Sequence, residues 1–306
     1  MKNGNRKFIP SAVQHIYQRA INGFLIFYND LDRIVFFTIA TCFARKLDIK
    51  MLGLCIMIDH VHMLLFIQNR RQLTQFIIET FSLFARVLNN EYERKGHFFD
   101  KSFGSAPKVT DKKIRSSIAY VANNPVEKGL CMKAEDYRWN FISYIKYRFP
   151  FSVPVNKHSA SRSLRKSMQE IDSCREENKY LNHNQLRRMF SKIPEQEKEQ
   201  LIDYIIYKYL PSEFSECVSY YKSYDDMIMA INSNTGNEYE IKEEFYAESD
   251  LKYENIHTKL LELSLGDLKL ILQSDISNKI TIAKILKKHT SASYYQICKF
   301  LRIPLK

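Results

Sequence analysis

The first half of the chain alternates strand-like and helix-like patterns in an order that few folds accommodate. Residues 13–19 (VQHIYQR) alternate apolar and polar side chains, as a half-buried strand does. Asn29 or Asp30 can cap a helix running to about Arg45. Residues 49–58 (IKMLGLCIMI) and 61–67 (VHMLLFI) read as two strands, with Asp59 and His60 near their junction. From Gln72 to about Arg94, Leu73, Phe76, Ile77, Phe81, Phe84 and Leu88 recur at i, i+3, i+4 spacing, which predicts an amphipathic helix. Residues 102–109 fit a short strand. Thr110 or Asp111 then caps a helix expected to stop near Asn124, because Pro125 disfavours helical geometry in the residue before it. The order β-α-β-β-α-β-α is that of a ferredoxin-like split βαβ with one additional helix, an α+β fold with a central antiparallel sheet.

Beyond residue 150 the pattern changes. Residues 151–180 are rich in Ser, Lys, Arg and Glu and poor in aromatics, which suggests a linker running into a helix. Residues 181–306 read as mainly α-helical, with apolar residues at helical spacing over 186–210 and again over 224–232. The end carries two short amphipathic segments, 280–288 and 294–301, with Ser291 or Ser293 able to cap the second. Lys287, Lys288, Lys299 and Arg302 lie among them, so a helix-turn-helix-like unit against duplex DNA is one expectation and a helical cap on the first half is the other. The resulting division is a first domain at 1–150, a linker at 151–180 and a helical accessory domain at 181–306.

Charge divides along the same line. Residues 1–150 hold 23 Lys and Arg against 12 Asp and Glu, whereas 151–306 hold 23 against 22. A basic first half beside a nearly neutral second half points to a polyanionic partner for the first half. The longest apolar stretch, 34–44, is far short of the roughly 18–20 residues of a membrane span. The N-terminus lacks the apolar core of a secretory signal. Six cysteines without close pairs fit neither a zinc site nor a disulfide framework, and a cytoplasmic, nucleoid-associated location is expected.

The residues able to do chemistry cluster in two places. In His60-Val61-His62, strand geometry sends both imidazoles to one face, where neutral rings make a natural pair of divalent-metal ligands. Two structural histidines beside the sheet would give the same tripeptide. On the helix from 111, a 100° step groups Ile114, Ile118 and Val121 on one side. It groups Lys113, Ser117, Tyr120 and Asn124 on another. Tyr120 offers a phenol nucleophile, and the Asn124 amide one turn away can complete a metal site. Arg86, Lys95, Lys101, Lys108, Lys112, Lys113 and Arg115 are candidate phosphate contacts. Phe98, Phe99 or Phe103 could stack on unpaired bases or pack in the core. His15 and His97 are weaker metal candidates, and Cys42, Cys55 and Trp139 read as packing residues.

These residues carry a resemblance. GLCIMIDHVHMLLFI resembles the His-hydrophobe-His strand of single-tyrosine HUH transposases, and YVANNPVEKGL resembles the nucleophile helix of their REP-associated tyrosine transposase branch. HIYQRAINGFLIFYNDLDR, EYERKGHFFDKSFGSAPKV and EDYRWNFISY are similar too, in the family's order, so the likeness spans about residues 10–149. It implies a ferredoxin-like HUH nuclease domain that nicks and rejoins single-stranded DNA, at hairpin-forming repeats. His60, His62 and Asn124 would hold Mg²⁺ or Mn²⁺, and Tyr120 would form a 5′-phosphotyrosine intermediate. The branch's Asn-Pro-Val signature implies a monomer with the tyrosine helix used in cis, rather than a homodimer. Two departures stand out. Asp59 replaces the Asn usual before the first histidine, and HFFDKSFGS replaces a more basic segment. The competing expectations are a domesticated hairpin-binding protein and a replication-initiator or relaxase-type HUH nuclease.

Overall fold

A computed structural model of the chain describes residues 8–100, 102–156, 158–233 and 251–304. Its element order opens with β1 (Ala12–Arg19), α1 (Asp30–Lys46), β2 (Lys50–Ile56), β3 (His60–Ile67), α2 (Arg70–Glu91), β4 (Gly104–Lys108) and α3 (Asp111–Glu127). The four strands form one antiparallel sheet in the order β2-β3-β1-β4. β1 and β3 therefore occupy the centre, and each βαβ crossover skips one position, which is the split βαβ arrangement.

Local chemistry explains the helix starts. The side chains of Asn29, Asn69 and Thr110 each accept a hydrogen bond from the backbone N–H three residues on, satisfying a donor that the first turn leaves open. The sheet then separates two apolar layers. One face, through Ile16, Val61, Met63 and Leu65, packs on α1 and α2 with Phe36, Phe76 and Phe84. The other, through Val13 and Leu64, packs on α3 with Ile114, Ile118 and Val121.

Two expectations about helix ends change. α3 does not stop at Asn124; it continues through Pro125 to Glu127. A proline inside a helix forfeits its own N–H bond, but here the carbonyls of Asn124 and Pro125 still accept from Lys128 and Leu130 and secure the last turn. The stretch 186–210 is two helices, α5 (His183–Phe190) and α6 (Glu195–Tyr209), because Pro194 sits at the N-cap of the second. α4 (Arg162–Glu176) occupies much of 151–180 and buries Leu164 and Ile171.

The remaining helices are α7 (Tyr224–Asn232), α8 (Leu251–Glu262), α9 (Leu268–Gln273), α10 (Ile276–His289) and α11 (Tyr294–Leu301). The region after residue 150 is mostly helical, and its helices lie against the first half. α5 and α6 cover α1, and α7 covers α3. Polar contacts fix the docking. Asp32 on α1 is fully buried and bonds His183 Nε2 at 2.8 Å, the Tyr92 hydroxyl at 2.8 Å and the Tyr28 N–H at 2.9 Å. Asp203 on α6 similarly accepts from the Tyr144 hydroxyl at 2.6 Å and the Phe151 N–H at 3.1 Å. No helix among the described residues is long and apolar enough to cross a membrane.

Candidate active site

β3 places His60 and His62 two residues apart, so both rings leave the sheet on the face covered by α3. Their partners on β1 are Arg19 opposite His60 and Tyr17 opposite His62. His15, two residues earlier than Tyr17, reaches the same face. α3 presents Ser117, Tyr120 and Asn124 inward, one turn after another, while Lys113 at its start is exposed. A cluster of rings results. Centroids lie 5.0 Å apart for His60 and His62, 5.6 Å for His62 and Tyr120, and 5.1 Å for Tyr17 and His62. Tyr120 is 6% exposed and meets the edge of His62.

Hydrogen bonds orient both histidines. His60 Nδ1 lies 2.6 Å from Asp59 Oδ1. An ionised carboxylate only accepts, so Nδ1 carries the proton and a neutral His60 turns the lone pair of Nε2 outward. Nε2 lies 3.3 Å from Asn124 Oδ1, itself an acceptor. A protonated ring donates to both oxygens, whereas a neutral ring leaves its Nε2 lone pair facing the Asn124 oxygen, where a cation could bridge the two. His62 Nδ1 lies 3.0 Å from His15 Nε2, both rings being fully buried. Burial, together with the fields of His60, His15 and Lys128, holds the His62 pKa well below its ordinary value, so His62 is neutral near pH 7. Burial opposes ionisation of Asp59, but the His60 ring bonded to it, with Lys299 and Arg19 nearby, outweighs that and holds its carboxyl below the usual range.

Two neutral imidazoles and an amide oxygen are a donor set suited to a divalent cation. Among the described residues no group of three His, Cys, Asp or Glu side chains has metal-holding geometry. Any such site here depends on the Asn124 oxygen.

The candidate phosphate contacts are not gathered in one place. Lys112, Lys113 and Arg115 are exposed on the first turns of α3. Arg86 and Lys95 are exposed too, but they belong to α2 and its exit, whose apolar side packs on the opposite sheet face. Lys108 is buried on β4, in register with Val13. Lys101 lies outside the described residues. Phe98 is buried in the core, and Phe99 packs edge-on against Phe81, so both serve packing. His97 is exposed, and its carbonyl accepts from Arg94. Trp139, Cys42 and Cys55 are buried, as their apolar settings suggest.

Sequence reasoning ranked His15 low and passed over Tyr17. The signal available was the i, i+2 alternation of His15, Tyr17 and Arg19 on one face of β1, which matters only once β1 is known to neighbour β3. The burial of Lys299 beside Gly23 and Arg19 carried no local signal at all.

Residues 14–124 match the family described as transposase, IS200-like. No curated protein matches the chain. Among solved structures, a REP-associated tyrosine transposase bound to a REP hairpin is 13% identical, with a TM-score of 0.39; the likeness covers 53% of this chain and 98% of that one. The matched segment contains His60, His62, Tyr120 and Asn124.

Proposed function

We propose that the chain is a metal-dependent transposase that nicks and rejoins single-stranded DNA, at hairpin-forming repeats, through a 5′-phosphotyrosine. The observation that carries this reading is the convergence of His60, His62, Asn124 and Tyr120 from β3 and α3 inside the matched segment. Neither duplex nor hairpin binding alone requires a phenol packed on a pair of imidazoles.

His60 Nε2, the His62 imidazole and Asn124 Oδ1 would hold a Mg²⁺ or Mn²⁺ ion, and Asp59 and His15 would fix the two rings. Bound there, the ion would polarise the scissile phosphate and offset developing charge. Tyr120 Oη attacks phosphorus in line. The Oη–P bond forms, the P–O3′ bond breaks, and the phenol proton ends on the released 3′ oxygen. The covalent bond conserves the energy of the phosphodiester, so a second 3′-hydroxyl can reverse the step and join a new strand. Exposed Lys112, Lys113 and Arg115 would meet the DNA backbone near the nucleophile helix, with Arg86 and Lys95 further round the surface. Tyr120 packs on His62 of its own chain, which supports a site complete in one monomer. In this reading residues 1–150 are the catalytic domain, 151–180 the connection, and 181–306 a helical accessory region acting beside DNA in the cytoplasm.

Incubation of the protein with labelled single-stranded DNA containing a hairpin-forming repeat, plus Mn²⁺, should yield a covalent protein–DNA adduct. Tyr120→Phe should abolish the adduct and leave retention of DNA in a gel nearly intact. DNA binding without any wild-type adduct would leave a hairpin-binding protein instead.

A further inference from the structure

Between the start of α1 and the helices α8 and α11 lies a cavity of about 260 Å³. Phe27, Tyr28, Ile58 and Phe300 line it and are almost wholly buried, so its floor is apolar and largely aromatic. Hydrogen bonds fix that floor. α11 is moored by the Tyr28 hydroxyl, which donates to the Phe300 carbonyl at 2.9 Å and accepts from Arg302 Nε at 3.0 Å. The Tyr28 and Phe300 rings meet edge to face, with centroids 5.5 Å apart. The Ile58 carbonyl accepts from the N–H groups of Ile26 and Phe27, at 2.9 and 3.1 Å. The rim is polar. Asn29 and Thr258 are exposed there, and His257 on α8 lies beside the floor, its ring centroid 6.5 Å from that of Phe300. The wall formed by α8 and α11 comes from outside the matched segment.

The lining selects a class of ligand. Asp30 and Arg33 pair at 3.1 Å and cancel, and burial holds the His257 pKa below its ordinary value, so that imidazole is neutral near pH 7. A site without net charge beside aromatic rings suits a flat, uncharged ring system better than a phosphate. Donors and acceptors stand at its edge. A neutral imidazole offers one of each, the Thr258 hydroxyl offers both, and the Asn29 amide keeps its N–H groups because its oxygen caps α1. Among the described residues, the His257 ring and the Thr258 hydroxyl have no hydrogen bond that would occupy them. An apolar floor with a few polar groups at the mouth is the usual anatomy of a ligand subsite. The volume, about that of nine waters in the liquid, admits one such ring system and excludes a base pair. Position names the source of the ring. Ile58 precedes His60 by two residues, so at most about 7 Å of chain separates the lining from the first candidate metal ligand. We propose that the cavity receives one unpaired nucleobase of the strand cut at Tyr120. The base stacks on the aromatic floor, and His257, Thr258 and Asn29 read its edge. The helical half then takes part in choosing the target. The identity of the ligand rests on the proposed function; the cavity and its chemistry do not.

The test uses the full-length protein and a hairpin oligonucleotide with a single-stranded tail. Each tail nucleotide in turn is made abasic, so that the backbone stays and one base is lost. Removal of the seated base should weaken binding about 5–150-fold at one position, the effect of losing one stacked base. Thr258→Trp fills the mouth of the cavity from an exposed position. It should weaken binding of intact DNA by a similar factor and leave no further loss at that abasic position, because both changes remove the same contact. Leu261→Trp, exposed on the same helix but outside the cavity, should behave as wild type. If Thr258→Trp does not fold, His257→Ala decides, since it adds no bulk: it should shrink the abasic loss at that position and at no other. Equal losses at every position, or a position-specific loss unchanged in the variants, overturn the proposal. Wild-type protein that forms the covalent adduct without any position-specific loss removes the base site and leaves the proposed function standing. A position-specific loss erased by Thr258→Trp, in a protein that forms no adduct, keeps the base site and removes the transposase reading.

Discussion

Asp32→Ala tests how firmly the helical half is fastened to the sheet. The Asp32 carboxylate is fully buried and takes three hydrogen bonds: from His183 Nε2 on α5, from the Tyr92 hydroxyl past the end of α2, and from the Tyr28 N–H. Removing it strands three donors. Each buried donor left without an acceptor costs roughly 1–3 kcal/mol, and the three are not additive because they share one acceptor group. Asp32 also lies in the first turn of α1, where negative charge is favourable by a few tenths of a kcal/mol or more. Release of a desolvated carboxylate offsets part of the loss. The net expectation is about 3–5 kcal/mol, a large share of the roughly 5–15 kcal/mol that holds a domain together. Asp32→Asn keeps one acceptor and turns an amide donor toward the others, so it should cost about half as much. Urea unfolding followed by circular dichroism at fixed pH measures both. An Asp32→Ala loss below about 1 kcal/mol, or equal losses for the two variants, would refute the picture of one carboxylate tying α1, α2 and α5 together.

Other expectations follow from the site. Replacing His60 and His62 together by Ala should eliminate Mn²⁺-dependent adduct formation while the far-ultraviolet spectrum stays native; an unfolded double variant would make the histidines structural. When a His60→Ala/His62→Ala protein is mixed with Tyr120→Phe protein, no adduct should appear, since Tyr120 packs on its own chain's His62, and recovered adduct would mean that sites are shared between chains. Stability should fall with acidification. The folded pKa of His62 is depressed below the ordinary 6.5, so the unfolded chain takes up the proton first as pH drops through that value. About 1 kcal/mol should be lost between pH 7 and 5.5, and the depressed carboxyl of Asp59 adds loss in the same direction below about pH 4. Urea midpoints of wild type and His62→Asn at the two pH values check this, and equal pH dependence in both would contradict it.

Local signals determined most of the first 150 residues. Strand alternation at 13–19 and 61–67, the helical repeat of Leu73, Phe76, Ile77, Phe81, Phe84 and Leu88, and caps such as Asn29 and Thr110 act over a few residues of chain, and the observed elements begin where those residues stand. The same short range put His60 beside His62 on one face and Tyr120 above Asn124 on one helix. What tertiary structure decided is which distant groups meet. β1 had to lie against β3 before His15 could reach His62, and α3 had to cover that face before Asn124 could approach His60 within 3.3 Å. Burial of Lys108 and packing of Phe98 follow from neighbours far away in the chain. Lys299 is the extreme case. Its sequence context is that of a short amphipathic segment with local positive charge, and only the mooring of α11 on Tyr28 buries it beside Gly23 and Arg19. Periodicity fixes which residues share a face because backbone geometry is local. Which face meets which depends on how apolar layers and buried charges find partners across the whole molecule.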